Sequence, residues 1–239
     1  MAVAFQAAGT AVVTTTTTLA LVAPTSSAGD IFLANITSNN NTAITLPQGW
    51  KKILEFTNTA DQQQTTAWYR ASDSDSGATF NFTVGGTTIS FGVLTSFRNA
   101  VNFGNPIGTS SQSANALSDT VTYATITPRD KFSLIVALGT YNLNATTAGA
   151  LSGTNPTFTN RVDAETATGN TASLFVYDGL SNDGSDTGSR THSTTSTVDA
   201  INTGVLVELL DFPPGGYAGG SSPVNYPRRD RSQSLGRTF

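Results

Sequence analysis

The stretch Phe80-Asn81-Phe82-Thr83-Val84 sets an apolar residue at every second position, and Phe132, Leu134, Val136 and Leu138 repeat the pattern. In an extended chain successive side chains point to opposite faces, so each run lays a row of apolar side chains along one face. That is the mark of a half-buried strand. Phe91, Val93 and Phe97 carry the same signal, as do Leu174 with Val176 and Val205 with Val207 and Leu209. No long window repeats apolar residues at helical spacing, and Thr, Gly and Asn are mediocre or poor helix formers. About a dozen strands are expected, near residues 10–22, 30–37, 50–58, 65–71, 78–84, 87–97, 119–126, 131–140, 157–163, 171–179, 190–198 and 203–211.

Turn chemistry separates the runs. Ala28-Gly29-Asp30, Pro47-Gln48-Gly49, Ser74-Asp75-Ser76-Gly77, Gly85-Gly86 and Asn182-Asp183-Gly184 supply residues that tolerate positive φ or cap a turn. Gly85-Gly86, lying between two alternating runs, predicts a tight hairpin. Short antiparallel strands at this spacing predict an all-β fold: an antiparallel two-sheet β-sandwich, jelly-roll-like, forming one domain over residues 1–212.

Composition agrees. Of 239 residues only 12% are charged, and the deficit is filled by 40 Thr, 24 Ser, 22 Gly and 18 Asn, while 13 Phe, 6 Tyr and 2 Trp suffice for a core. A net charge of −4 gives no reason to expect nucleic-acid binding or attraction to an anionic membrane. The absence of Cys and the single His192 leave no thiol nucleophile and no multi-histidine metal site, and no cofactor is expected. The apolar run at residues 19–23 stops at Pro24, far short of the roughly 20 residues that span a bilayer as a helix. The first basic residue is Lys51, so no positively charged leader is read, and synthesis in the cytoplasm without a cleaved export signal is expected.

After Phe212 the composition changes to Pro213-Pro214-Gly215-Gly216 and then Tyr226-Pro227-Arg228-Arg229-Asp230-Arg231. Residues 1–212 hold 8 basic and 15 acidic residues, net −7, and residues 213–239 hold 4 Arg and 1 Asp, net +3. The opposite signs would let this arm lie on the body of a neighbour. Its candidate contact residues are Tyr217, Tyr226, Leu235 and Phe239 as apolar anchors, with Arg228, Arg229, Arg231 and Arg237 facing carboxylates.

Across roughly residues 10–140 the chain carries Gly29-Asp30-Ile31-Phe32-Leu33-Ala34, Pro47-Gln48-Gly49-Trp50, Trp68-Tyr69-Arg70-Ala71, Phe80-Asn81-Phe82, Phe97-Arg98-Asn99-Ala100 and Pro106-Ile107. In this order the segments resemble the all-β structural modules of tailed-bacteriophage virion proteins, also found in some bacterial surface proteins. The resemblance implies a non-enzymatic virion protein, a head decoration or head-fibre subunit or a tail component. Its partners would be other virion proteins and copies of itself, with a trimer preferred among homo-oligomers.

The residues give other chemistry little support. Catalysis by His192 lacks a nucleophile-elbow glycine motif beside any serine, so a packing or exposed histidine is expected. Asp73-Ser74-Asp75 and Asp183-Gly184-Ser185-Asp186 cluster carboxylates but miss the EF-hand spacing, and read as turn residues. Trp50 is expected in the core. An exposed Trp68 or Tyr69 would instead favour the alternative of a carbohydrate-binding surface or adhesin module acting on a host-surface glycan.

Overall fold

The computed structural model describes residues 2–39, 43–58, 62–85, 89–101, 104–146, 149–166, 172–198 and 200–211. Every regular element among them is a strand. The first half holds β1 (Ala4–Ala8), β2 (Val12–Thr14), β3 (Thr18–Val22), β4 (Ile31–Ser38), β5 (Lys51–Asn58), β6 (Gln62–Arg70), β7 (Thr79–Thr83) and β8 (Ser90–Arg98). The second holds β9 (Ile107–Ser118), β10 (Thr120–Tyr123), β11 (Leu134–Tyr141), β12 (Thr159–Glu165), β13 (Ser173–Leu180), β14 (Arg190–Ser193) and β15 (Ala200–Leu209).

Two main sheets pack face to face as a β-sandwich. One has the order β1-β8-β4-β6-β5, with β2 also on β8, and the other the order β12-β13-β11-β15-β9; all pairings are antiparallel. Ile31, Leu33, Trp68, Val93 and Phe97 of the first sheet meet Leu134, Val136, Leu138, Leu174, Val176, Val205 and Val207 of the second between them. The outer face of each sheet is apolar too and is covered by a two-stranded ribbon. The β3–β7 ribbon buries Phe32, Ala34, Ile36 and Leu94 under Leu19, Leu21 and Phe82, and the β10–β14 ribbon buries Ile135, Ala137, Phe175 and Leu206 under Val121 and Tyr123. The result is four layers, and β4, β11 and all but the last residue of β8 and β13 are buried on both faces rather than one.

The halves repeat one topology. If β1 and β2 are taken as one interrupted strand, the order β9-β15-β11-β13-β12 with ribbon β10–β14 matches β1/β2-β8-β4-β6-β5 with ribbon β3–β7, strand for strand. The pairing registers match as well: Gly92 stands opposite Ile36 and Leu94 opposite Ala34, as Gly204 stands opposite Gly139 and Leu206 opposite Ala137. Sequence identity at this site is the short run Gly92-Val93-Leu94 and Gly204-Val205-Leu206. Close approach requires Gly204, since a Cβ there would come within 2.2 Å of the Thr122 carbonyl, and favours Gly92, where a Cβ would come within 2.8 Å of the end of the Leu19 side chain. Each ribbon sits directly on a glycine.

Three expectations change. The strands flanking Gly85 do not form a hairpin with each other, because β7 pairs with β3 in the covering ribbon while β8 enters the main sheet; Gly86 lies outside the described residues. The run expected near 10–22 is two strands, with β1 before it and β9 between the expected runs. Phe132 precedes β11 and is 49% exposed, with the Lys131 ammonium 5.2 Å from its ring centre.

Two groups of buried polar side chains hold the fold, one between the sheets and one within the second half. Asn35 donates to the Gly139 carbonyl (3.1 Å), and Gln64 donates to Asn35 Oδ1 (2.9 Å) and the Leu138 carbonyl (3.1 Å), joining the two sheets. Glu208, with no exposed surface, accepts from the Thr109 (2.8 Å), Arg129 (2.7 Å) and Asp130 (3.1 Å) amides and the Ser133 hydroxyl (2.6 Å). Four donors replace the water that a buried carboxylate loses. Ser96, at the corresponding place in β8, bonds the Ala7 and Thr25 carbonyls and so ties the same two elements of its own half. Glu208→Gln turns one acceptor edge into a donor facing donors, and is expected to lower stability by about 1–3 kcal/mol, read from urea unfolding midpoints.

Candidate functional site

The residues with the most chemistry in one place are His192, Tyr123, Tyr177 and Arg190, beneath the β10–β14 ribbon. Thr191 and Ser193 point away from the sheet while Arg190 and His192 alternate inward, so both polar side chains are driven into a core position by the strand period. His192 is 2% exposed, with the Phe175, Tyr177 and Tyr123 rings at 4.6, 5.3 and 5.8 Å between centres. Its Nδ1 lies 3.2 Å from the Tyr123 hydroxyl, and its Nε2 is buried without a hydrogen-bond partner. Burial lowers its pKa to about 4, because desolvation penalises the imidazolium. Burial also pushes the Tyr123 phenol well above its ordinary value.

Arg190 is 5% exposed. Its guanidinium donates to the Ser152 carbonyl (3.0 Å) and to the Asn155 carbonyl, and lies over the Phe158 ring. Burial lowers its pKa. Gly153, at φ 93°, leaves the space this side chain fills, since a Cβ there would overlap Nη1. The corresponding inward positions of the first ribbon hold Phe80 and Phe82. The cluster is thus a polar version of an aromatic core.

The other sequence candidates are spent on structure. Asp75 accepts from the Ser72 amide (2.6 Å), closing its turn, and it also raises the pKa of Tyr69, on which burial acts first and the Asp75 charge and hydrogen bond second. Asp183 accepts from Asn155 Nδ2 (2.9 and 3.1 Å) and from the Ser185 hydroxyl (2.7 Å) and amide (2.9 Å), and these bonds lower its pKa to about 2. Among the described residues no three His, Cys, Asp or Glu side chains gather in a way that would hold a metal ion.

Trp50 is delivered by the Pro47–Trp50 turn, whose Gly49 has φ 86° and leaves room for the Tyr69 ring. Trp50 is 7% exposed, with the Phe82, Phe80 and Tyr69 rings at 5.1, 5.3 and 5.5 Å. Trp68 is buried between the two sheets, and Tyr69 packs between Phe32 and Trp50. Tyr217, Tyr226, Arg228, Arg229, Arg231, Leu235, Arg237 and Phe239 lie outside the described residues. Compared with known proteins, the chain matches no family model, no curated protein and no solved structure.

In the sequence Glu208 stands out only as one of three Glu, with Glu55 and Glu165, that cannot be placed as a glycoside-hydrolysis pair, and Arg190 only as a neighbour of His192. A lone acidic residue in an otherwise apolar run, Val205-Leu206-Val207-Glu208-Leu209, is the signal that finds the first. Trp50→Ala is expected to cost about 3–5 kcal/mol, measured as a loss of stability in denaturant unfolding with the strand spectrum of the folded state retained.

Proposed function

We propose that the chain is a non-enzymatic structural protein of a tailed-phage virion, a capsid decoration or head-fibre subunit or a tail component, that works by assembling onto neighbouring subunits. The observation that carries this reading is where the reactive side chains go. His192, Arg190, Asp75, Asp183 and Glu208 are all bonded into turns or packed into cores, as suits a body whose task is to hold its shape. Four layers with central strands covered on both sides give a rigid unit of the kind that repeated assembly demands.

Assembly is assigned to the segment 213–239. Its net charge of +3 complements the −7 of residues 1–212, so Arg228, Arg229, Arg231 and Arg237 would orient it on an acidic neighbour while Tyr217, Tyr226, Leu235 and Phe239 supply apolar anchors. The partners on this reading are other virion proteins and copies of the chain, as a trimer, in the virion. The glycan-binding alternative needs an exposed aromatic platform. Trp68 is buried between the sheets, which speaks against that reading, and the half-buried Tyr69, packed between Phe32 and Trp50, is the one of the two side chains left to serve it.

Deleting residues 213–239 should leave the unfolding midpoint unchanged while abolishing incorporation into particles, scored by mass spectrometry of purified virions. A truncated chain found in particles at full occupancy would reject the assignment. Light scattering of the full chain at the mass of a trimer is the companion result, and a monomer mass at all concentrations counts against it.

A further inference from the structure

We propose that the β10–β14 ribbon is an acid-released cover, held on the outer face of the second sheet by a neutral His192 and let go when that imidazole takes up a proton. The inference goes beyond the virion reading and does not depend on it.

The geometry makes the imidazolium a misfit. When neutral, His192 pairs Nδ1 with the Tyr123 hydroxyl at 3.2 Å and leaves Nε2 as a single unpaired but uncharged polar atom. When charged, both ring nitrogens are donors, and Nε2 has no acceptor in its buried position. The groups that face it offer no countercharge. From β10 come Val121, directly opposite, and Tyr123; from β13 come the Phe175 and Tyr177 rings; from its own strand comes Arg190, a second buried cation two residues away. The ribbon's nearby carboxylate, Asp119, is exposed at the far end and bonded to the Thr120 hydroxyl. Burial accordingly lowers the His192 pKa from 6.5 to about 4. A group whose folded pKa is depressed in this way favours the open state as pH falls through the interval between those two values.

The ribbon is also the part that can leave. Its two strands pair only with each other, over four register pairs from Thr120–Ser193 to Tyr123–Arg190, and are tied elsewhere by bonds to Asn115 of β9 and to Ser152 and Asn155 of the loop before β12, whereas β9, β11, β12, β13 and β15 form their ladders without it. Opening would bare Ile135, Ala137, Phe175, Tyr177 and Leu206 while leaving the sheet's own hydrogen bonds in place. The β3–β7 ribbon is an internal control, because Phe82 stands where His192 does and cannot titrate.

Hydrogen exchange on the intact chain tests this, with protection factors corrected for intrinsic exchange. Between pH 7 and pH 5, protection of the β10 and β14 amides should fall on the order of 20-fold, while that of β3, β7, β11, β13 and β15 holds. His192→Phe, which copies the first half, should remove the difference; His192→Asn serves if the larger ring packs poorly. Equal protection at both pH values, a fall shared by β3 and β7, or an acid response that survives loss of the imidazole would overturn the proposal.

Discussion

A sheet with two apolar faces must be covered twice, and most of this architecture follows from that constraint. Phe32, Ala34 and Ile36 alternate with Ile31 and Leu33 along β4, so neither side can meet water. The inner faces solve the problem by packing on each other, which leaves the two outer faces bare. The ribbons close them. At about 25 cal/mol per Å² of apolar surface removed from water, covering two more faces adds core to the layer already formed between the sheets.

The same constraint explains which features were readable in the sequence. Alternation at Phe80–Val84 and the continuous apolar run at Leu134–Leu138 both report extended backbone, and most strands lie where these patterns predict them. They are silent on partners. Gly85-Gly86 has the local chemistry of a hairpin, yet β7 is drawn to cover an apolar face and β8 to complete the main sheet, so tertiary burial overrides the turn signal. β9 was missed because an edge strand need not be apolar. Its Thr109, Ser111 and Asn115 side chains bond the Thr127, Ala124 and Thr120 carbonyls instead of filling a core.

The candidate site was legible only in part. Ser189-Arg190-Thr191-His192-Ser193 looks uniformly polar, and the alternation that sends Arg190 and His192 inward appears only once β14 is paired with β10. A packing histidine was among the expected outcomes, but its neighbours were not. Tyr123 lies 69 residues from His192 and Tyr177 on the preceding strand β13, and their meeting on one ring is a property of the topology.

The repeated halves also bear on how the chain is made. The first sheet is complete at Arg98, and its inner face presents Ile31, Leu33, Val93 and Phe97 to a partner that begins at Ile107. At ordinary translation rates the remaining strands emerge over roughly 5 to 20 seconds. During that interval the leading half on one ribosome can meet the leading half on the next, since both expose the same sticky surface. Asn35 and Gln64 work against such a mismatch, because their hydrogen bonds are drawn to the backbone of Leu138 and Gly139 in the trailing half. A pairing that did not bring the Leu138 and Gly139 carbonyls to this buried amide pair would leave it short of acceptors.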